Sequence, residues 1–153
     1  YGIVYADENV QVNAFTVQHG RLQSLAYKFI TQDKTIVISG DTCPVDIMCE
    51  KAKDADILLH ECEYTKGLSS RSKQWQIYHQ NVHTMSTDLA RIASIAKPHL
   101  LVTYHRIYHM NILDNTKNLK QEMQKRNEAI LQEIQDAGYY GTVINGEDLD
   151  IFE

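Results

Sequence analysis

The sequence predicts an α/β domain whose sheet is at least partly parallel. Three observations predict it. Thr35-Ile-Val-Ile38 and Ile57-Leu-Leu59 are short, continuous apolar runs, the pattern of strands covered on both faces. The segments between and after them carry apolar residues at helical spacing. The order is strands first, then strand–helix–strand, helix–strand, helix and a final pair, which calls for crossover connections.

Val10 to Val17 alternates apolar and polar residues with a period of two and reads as a strand ending at Gln18-His19-Gly20. Leu25 to Ile30 is a second strand, turned at Asp33-Lys34 into a third, Thr35 to Ser39, which is rich in β-branched residues. Gly40-Asp41-Thr42-Cys43-Pro44 follows, with Pro44 suited to the first helical position. Val45, Met48, Cys49, Ala52 and Ala55 then mark one face of a helix, and Ile57 to His60 is a fourth strand. Residues 64–82 are polar without a clear period and read as a long functional loop. After His83, the stripe Met85, Leu89, Ile92, Ala93 and Ala96 defines a helix capped by Ser86-Thr87-Asp88 and stopped by Pro98. Leu100 to Tyr104 is a strand. Leu119, Met123, Ile130, Ile134 and Ala137 mark a long helix closed by Gly138. Thr142–Ile144 and Leu149–Phe152 flank Asn145-Gly146 as a hairpin. No repeat or linker interrupts the 153 residues, a length that suits one domain.

Composition narrows the function classes. Apolar residues make up 43% of the chain, which suits a folded core rather than disorder. No apolar run approaches the roughly 18 residues of a membrane span. Fifteen basic against twenty acidic residues give a net charge of −5, which argues against non-specific nucleic-acid binding. Cys43, Cys49 and Cys62 form no pairing pattern and favour a reducing, cytoplasmic compartment. No signal peptide is expected from the opening residues. The chain starts at Tyr1-Gly-Ile-Val-Tyr without an initiator Met, so a fragment or processed product is expected.

The chemistry-bearing residues share a topological position. His19, Asp41, Glu61 and His105 each follow a predicted strand, and His83 precedes a helix. Ligands of open α/β sheets bind outside the carboxyl ends of parallel strands. Two or three imidazoles and one or two carboxylates are therefore expected in one cleft, a donor mix that suits Zn²⁺. Taken singly, each has a structural explanation. A histidine at a strand end is commonly just hydrogen-bonded, Asp41 could accept backbone N–H bonds at its turn, and Glu61 could cap or pair locally. His79, His99 and His109 are read as structural, and His60 as a satisfied core residue.

Ile36-Val-Ile-Ser-Gly-Asp-Thr42, then a helix, then Ala55-Asp-Ile-Leu-Leu-His-Glu61 resembles the metallo-β-lactamase fold, within it the ribonuclease Z and arylsulfatase-like group of hydrolases. Ala14-Phe-Thr-Val-Gln-His-Gly20 with Ala26-Tyr-Lys-Phe29, His83-Thr84-Met85-Ser86 and Leu100-Leu-Val-Thr-Tyr-His105 resemble its further segments, in the same order over nearly the whole chain. The resemblance implies half of an αββα sandwich: a mixed sheet with helices on one face. It implies that His19 ligates a first metal, Asp41 bridges two, His105 ligates the second, and His83 donates a proton to the leaving oxygen. Glu61 would orient His83 or a ligand from behind. The cofactors implied are two divalent ions, Zn²⁺ or alternatively Mn²⁺, between which a water is activated.

The sequence departs from the family pattern twice. The His-x-His-x-Asp-His segment is absent, so residues 1–153 read as the C-terminal part of a single such domain. Only Ile30 to Lys34 separate the Phe29 strand from Thr35, leaving no room for the projecting arm of transfer-RNA-processing members. The resulting expectation is a metal-dependent hydrolase of phosphate or sulfate esters, with a small anionic ester as substrate. Its alternatives are a tRNA 3′ endonuclease of the ribonuclease Z type, with nucleic acid as the less favoured partner, and a catalytically incomplete interaction module. The chain alone is expected to bind metal weakly or not at all, to be inactive, and to form homo-oligomers. Tyr64, Lys66, Arg71, Lys73 and Trp75 of the 64–82 loop could meet an anionic aromatic ester, the alternative being a solvated loop.

Overall fold

The computed structural model describes residues 1–110 and 118–152. Seven strands form one mixed sheet in sequence order: β1 (Ile3–Ala6), β2 (Gln11–His19), β3 (Leu22–Ile30), β4 (Thr35–Ile38), β5 (Ile57–Glu63), β6 (Leu100–Ile107) and β7 (Val143–Asn145). β1 to β4 are joined by antiparallel pairing, and β4 to β7 run parallel. The four-residue connection Thr31–Lys34 turns β3 into β4 with Thr31 N–H donating to Lys34 O at 2.9 Å, so no arm projects there. Because β2 runs parallel to β4, the carboxyl ends of β2, β4, β5 and β6 all lie at one edge of the sheet.

The helices are α1 (Asp46–Lys51), α2 (Thr65–Ser69), α3 (Lys73–Gln80), α4 (Ser86–Ala96) and α5 (Leu119–Asp136). α1, α4 and α5 pack in succession on one face of the sheet. The expected α4 stripe is fully realised: Met85, Leu89, Ile92, Ala93 and Ala96 are all buried. Against it lie Met48 of α1, Leu58 and Leu101 of the central strands, and Ile130 and Ile134 of α5, all of them fully buried. Each such side chain contributes roughly 1.5–3 kcal/mol of transfer free energy.

Several elements differ from the sequence reading. Residues 64–82 hold two short helices rather than a loop. α3 presents Trp75, Ile77 and Tyr78 to solvent, so it has no buried stripe to reveal it. Its start is capped by Ser72, whose Oγ accepts from Trp75 N–H. The start of α2 is capped from a distance: Glu133 of α5 accepts from Thr65 N–H and Lys66 N–H, both at 3.0 Å. The Glu133 carboxylate also takes the Ser86 hydroxyl, so Ser86 does not cap α4. Pro44 lies two residues before the first helical residue of α1, because Val45 is its N-cap. On α5, Ile130 and Ile134 are buried, but Leu119 and Met123 are each 38% exposed.

The hairpin at Asn145-Gly146 does not form. Gly146 N–H donates to Thr103 O at 2.9 Å, continuing the pairing of β7 with β6. Asn145 spends its amide on Asn127 O and accepts from Thr103 Oγ1. Residues 149–152 form no strand.

Candidate active site

The sheet edge gathers the five candidate residues. His19 is the last residue of β2, and its Nδ1–H donates to Val82 O at 2.7 Å, leaving the Nε2 lone pair to face a metal. Gly20 turns the chain in the left-handed region (φ 59), where a Cβ would lie 2.8 Å from the Val82 side chain. Asp41 sits after β4, behind Gly40 in the same region (φ 60); a Cβ there would meet Leu25 O at 2.5 Å. Only glycine satisfies both demands.

His105 lies inside β6 rather than after it. The β5–β6 register passes from Glu61↔Tyr104 to Cys62↔Arg106, so His105 is the extra residue of a bulge, with φ 43. Bulges re-aim a side chain next to functional sites. His105 Nε2 thereby comes to 3.7 Å from Asp41 Oδ1, and both side chains are roughly half exposed. That gap is close to the separation of two ligand atoms on one zinc ion, roughly 3.3 Å for bonds of about 2.0–2.1 Å. A carboxylate and two imidazoles, one oriented by a backbone carbonyl, are a donor set that fits divalent metal.

His83 stands between them. Its ring centroid is 5.0 Å from that of His19 and 5.8 Å from that of His105. Its Nδ1–H donates to Glu61 Oε1 at 3.0 Å, and the same oxygen accepts Thr42 N–H at 2.8 Å. Burial alone pulls the His83 imidazole down, but the Glu61 hydrogen bond and charge, with Glu63 and Asp41, outweigh it and raise its pKa above the ordinary value. Burial pushes the Glu61 carboxyl up, against the hydrogen bonds from His83 and Thr42. Glu61 lies within β5, fully buried, with Oε2 unpartnered among the described residues. The loops are locked together: Cys43 N–H donates to Gln18 O at 2.7 Å, Thr84 Oγ1 to Thr42 O at 2.7 Å, and His83 N–H to His79 O at 2.8 Å.

Two open clefts flank this cluster. One of about 450 Å³ is lined by His19, Arg21, Leu22 and Tyr78; the other, of about 400 Å³, by His105, Arg106, Glu147 and Asp148. The first carries a cation and an exposed phenol; in the second, Arg106 pairs with Glu147 at 2.6 Å and Asp148 adds a further acid. Of the loop residues that could meet the ester, Lys66, Lys73 and Trp75 are exposed. Tyr64 is buried beneath Arg126, and Arg71 donates to His109 O.

The histidines read as structural divide. His99 is exposed beside Asp56. His60 is buried and its Nδ1–H donates to Glu61 O; burial brings its pKa down to about 4 against the opposing pull of that hydrogen bond, and among the described residues its Nε2 has no partner, so it is only half satisfied. His79 and His109 converge on Glu63. Glu63 and Glu133 were not singled out by the sequence. Neither stands out locally: Glu63 ends a strand that already holds His60 and Glu61, and Glu133 lies among Gln132, Gln135 and Asp136 on a largely polar helix.

No protein-family profile matches the chain. It is 39% identical over 57 residues to the zinc phosphodiesterase ELAC protein 2 homolog of Caenorhabditis elegans, across 37% of this chain and 7% of that protein. It is 34% identical over 70 residues to ribonuclease Z of Ignicoccus hospitalis, across 46% of this chain and 21% of that protein. Among solved structures, the metallo-β-lactamase fold protein YhfI of Bacillus subtilis superposes with a TM-score of 0.72 at 16% identity, over 97% of this chain and 52% of that one. Human tRNase Z, short form, superposes with a TM-score of 0.63 at 19% identity, over 99% and 44%. The matched stretch thus spans about a fifth or less of these curated relatives, and the chain about half of the solved structures. It has the fold of one half of a metallo-β-lactamase sandwich, and its sequence is similar to ribonuclease Z.

Proposed function

We propose that this chain carries the C-terminal half of the active site of a metal-dependent hydrolase of phosphate or sulfate esters. The observation that carries the reading is the convergence of His19, Asp41 and His105 around a histidine whose proton is held by a buried glutamate. His19 and His105 would hold one divalent ion each and Asp41 would bridge them. Two such ions, zinc or manganese, would supply positive charge to the ester and lower the pKa of water. His83 binds no metal in this reading. Its imidazolium, kept charged by Glu61, gives its proton to the departing oxygen, and Glu61 holds the ring so that Nε2 carries that proton. The anionic ester enters from the His19 side, where Arg21 attracts it, rather than through the other cleft, where Arg106 is spent on Glu147 and Asp148 leaves net negative charge.

Two observations bear on the choice of ester. The short β3–β4 turn and the acidic charge favour small esters. The similarity to a zinc phosphodiesterase and to ribonuclease Z favours an RNA phosphodiester, processed at the 3′ end of precursor tRNA. The full-length, zinc- or manganese-loaded protein is expected to hydrolyse chromogenic aryl phosphodiesters and arylsulfates, with precursor tRNA cleaved poorly. Specific 3′ cleavage of precursor tRNA at far higher kcat/KM establishes the second reading instead. Turnover of none of these by metal-loaded protein sinks both.

A further inference from the structure

Behind α3, a second set of ligating side chains is left unused by this reading. Glu63 is the last residue of β5, His79 the penultimate residue of α3, and His109 lies beyond β6 in the left-handed region (φ 55). Their side chains are 0%, 9% and 4% exposed. Both imidazoles address the same carboxylate. His79 Nδ1 lies 3.0 Å from Oε1 and 3.1 Å from Oε2, and His109 Nε2 contacts Oε1. One ligand atom from each residue lies within 4.8 Å of the other two.

A buried carboxylate is costly unless its charge is balanced. Among the described residues no Lys or Arg pairs with Glu63; the nearby cation Arg71 donates its Nη2 to the carbonyl of His109 at 2.7 Å. His109 is also held in a backbone conformation that non-glycine residues avoid, and such outliers persist where the surroundings fix a functional geometry. Two imidazole nitrogens and one carboxylate oxygen are a three-ligand zinc set, and the ring separation of 4.8 Å at 70° keeps the imidazoles edge to face rather than stacked.

We propose that Glu63, His79 and His109 form a mononuclear zinc site separate from the Asp41 cleft. With its ligands buried, the ion acts as a tie rather than a reaction centre. It joins the end of β5, the end of α3 and the segment after β6. His79 O accepts the backbone N–H of His83, and His105 lies four residues before His109, so the tie fixes both candidate active-site histidines from behind.

The test uses zinc competition against a chromogenic chelator with the 153-residue chain carrying His19→Ala, Asp41→Ala and His105→Ala. Removing those three donors separates this site from the proposed catalytic centre. One zinc per chain is expected, with affinity within about threefold of the unsubstituted chain. Adding His109→Gln is expected to weaken it by roughly 10²-fold or more, because two protein ligands hold zinc poorly. X-ray absorption on the zinc-loaded triple variant is expected to show two imidazoles and oxygen, a readout that does not depend on the folding of the His109 variant. Absence of zinc from the triple variant, sulfur in the ion's first shell, or unchanged affinity after His109→Gln each overturns the site.

Discussion

His105 and His83 reach the same cleft by different local devices. His105 arrives through a bulge that leaves it out of register with β5, and His83 through a carboxylate that fixes its ring. Their proposed roles, ligand and proton donor, separate under substitution. In the full-length protein, Asp41→Ala is expected to lower metal content. His83→Ala is expected to leave metal content nearly unchanged while cutting turnover by roughly 10²-fold or more; elemental analysis beside kcat checks the pair. The pH dependence follows from Glu61. The His83 pKa is raised above 6.5, so the stability it contributes is fully present below about pH 6.5 and is lost as pH rises through the raised value. Glu61→Gln removes the anion and leaves the burial, so the His83 titration is expected to move downward. The alkaline fall in turnover should move with it. An NMR titration of the His83 ring that does not shift in Glu61→Gln contradicts the assignment.

At the scale of elements, what was legible had a periodic or steric signature. β4, β5 and α4 stand out because Val37, Leu58 and the Leu89–Ala96 stripe meet the core at the spacing of their own geometry. α2 and α3 lack that signature. Their ends are satisfied by Ser72 and, across the fold, by Glu133, a partner 67 residues away from Lys66 that no local pattern announces. The same holds for the site: His19 and Asp41 were readable from strand ends and His83 from the start of a helix. The bulge at His105 arises only from the pairing of β5 with β6, and the use of Glu63 by two histidines only from the packing of α3 and the segment after β6 on the end of β5. Gly40 shows how tightly an element boundary can be specified. Any side chain there both enters the left-handed region and meets Leu25 O at 2.5 Å. Gly40→Ala is therefore expected to destabilise by at least about 1–2 kcal/mol, and thermal melts should show a clearly lower Tm. A melt unchanged within error means that the β4–Asp41 turn is looser than described.

At the scale of the whole chain, the sheet has two unequal faces. One carries Phe15, Ala26, Val37, Leu58 and Leu101 under α1, α4 and α5. By alternation and register the other carries Val12, Phe29, Ile36, Ile38, Ile57, Leu59, Leu100 and Ile144, every one of them partly exposed. A contiguous apolar surface of this kind marks a contact face. On the proposed reading it meets the other half of a sandwich, which also brings the missing metal ligands: the chain holds no His-x-His-x-Asp-His segment, and three donors cannot give two zinc ions the three protein ligands each normally needs. The 153-residue chain by itself is therefore expected to lack the binuclear centre, to show no ester hydrolysis, and to self-associate through this face. β1 offers a competing route, since Ile3, Val4 and Tyr5 are exposed on an edge strand. Phe29 and Ile36 are cross-strand partners at the centre of the open face, so Phe29→Lys with Ile36→Glu places an ion pair there while sparing the edge. Sedimentation should find the unsubstituted chain dimeric or larger and the double variant monomeric. A double variant that still associates points to β1 instead, and an unsubstituted chain that is a monodisperse monomer holding two metals at Asp41 defeats the half-site reading altogether.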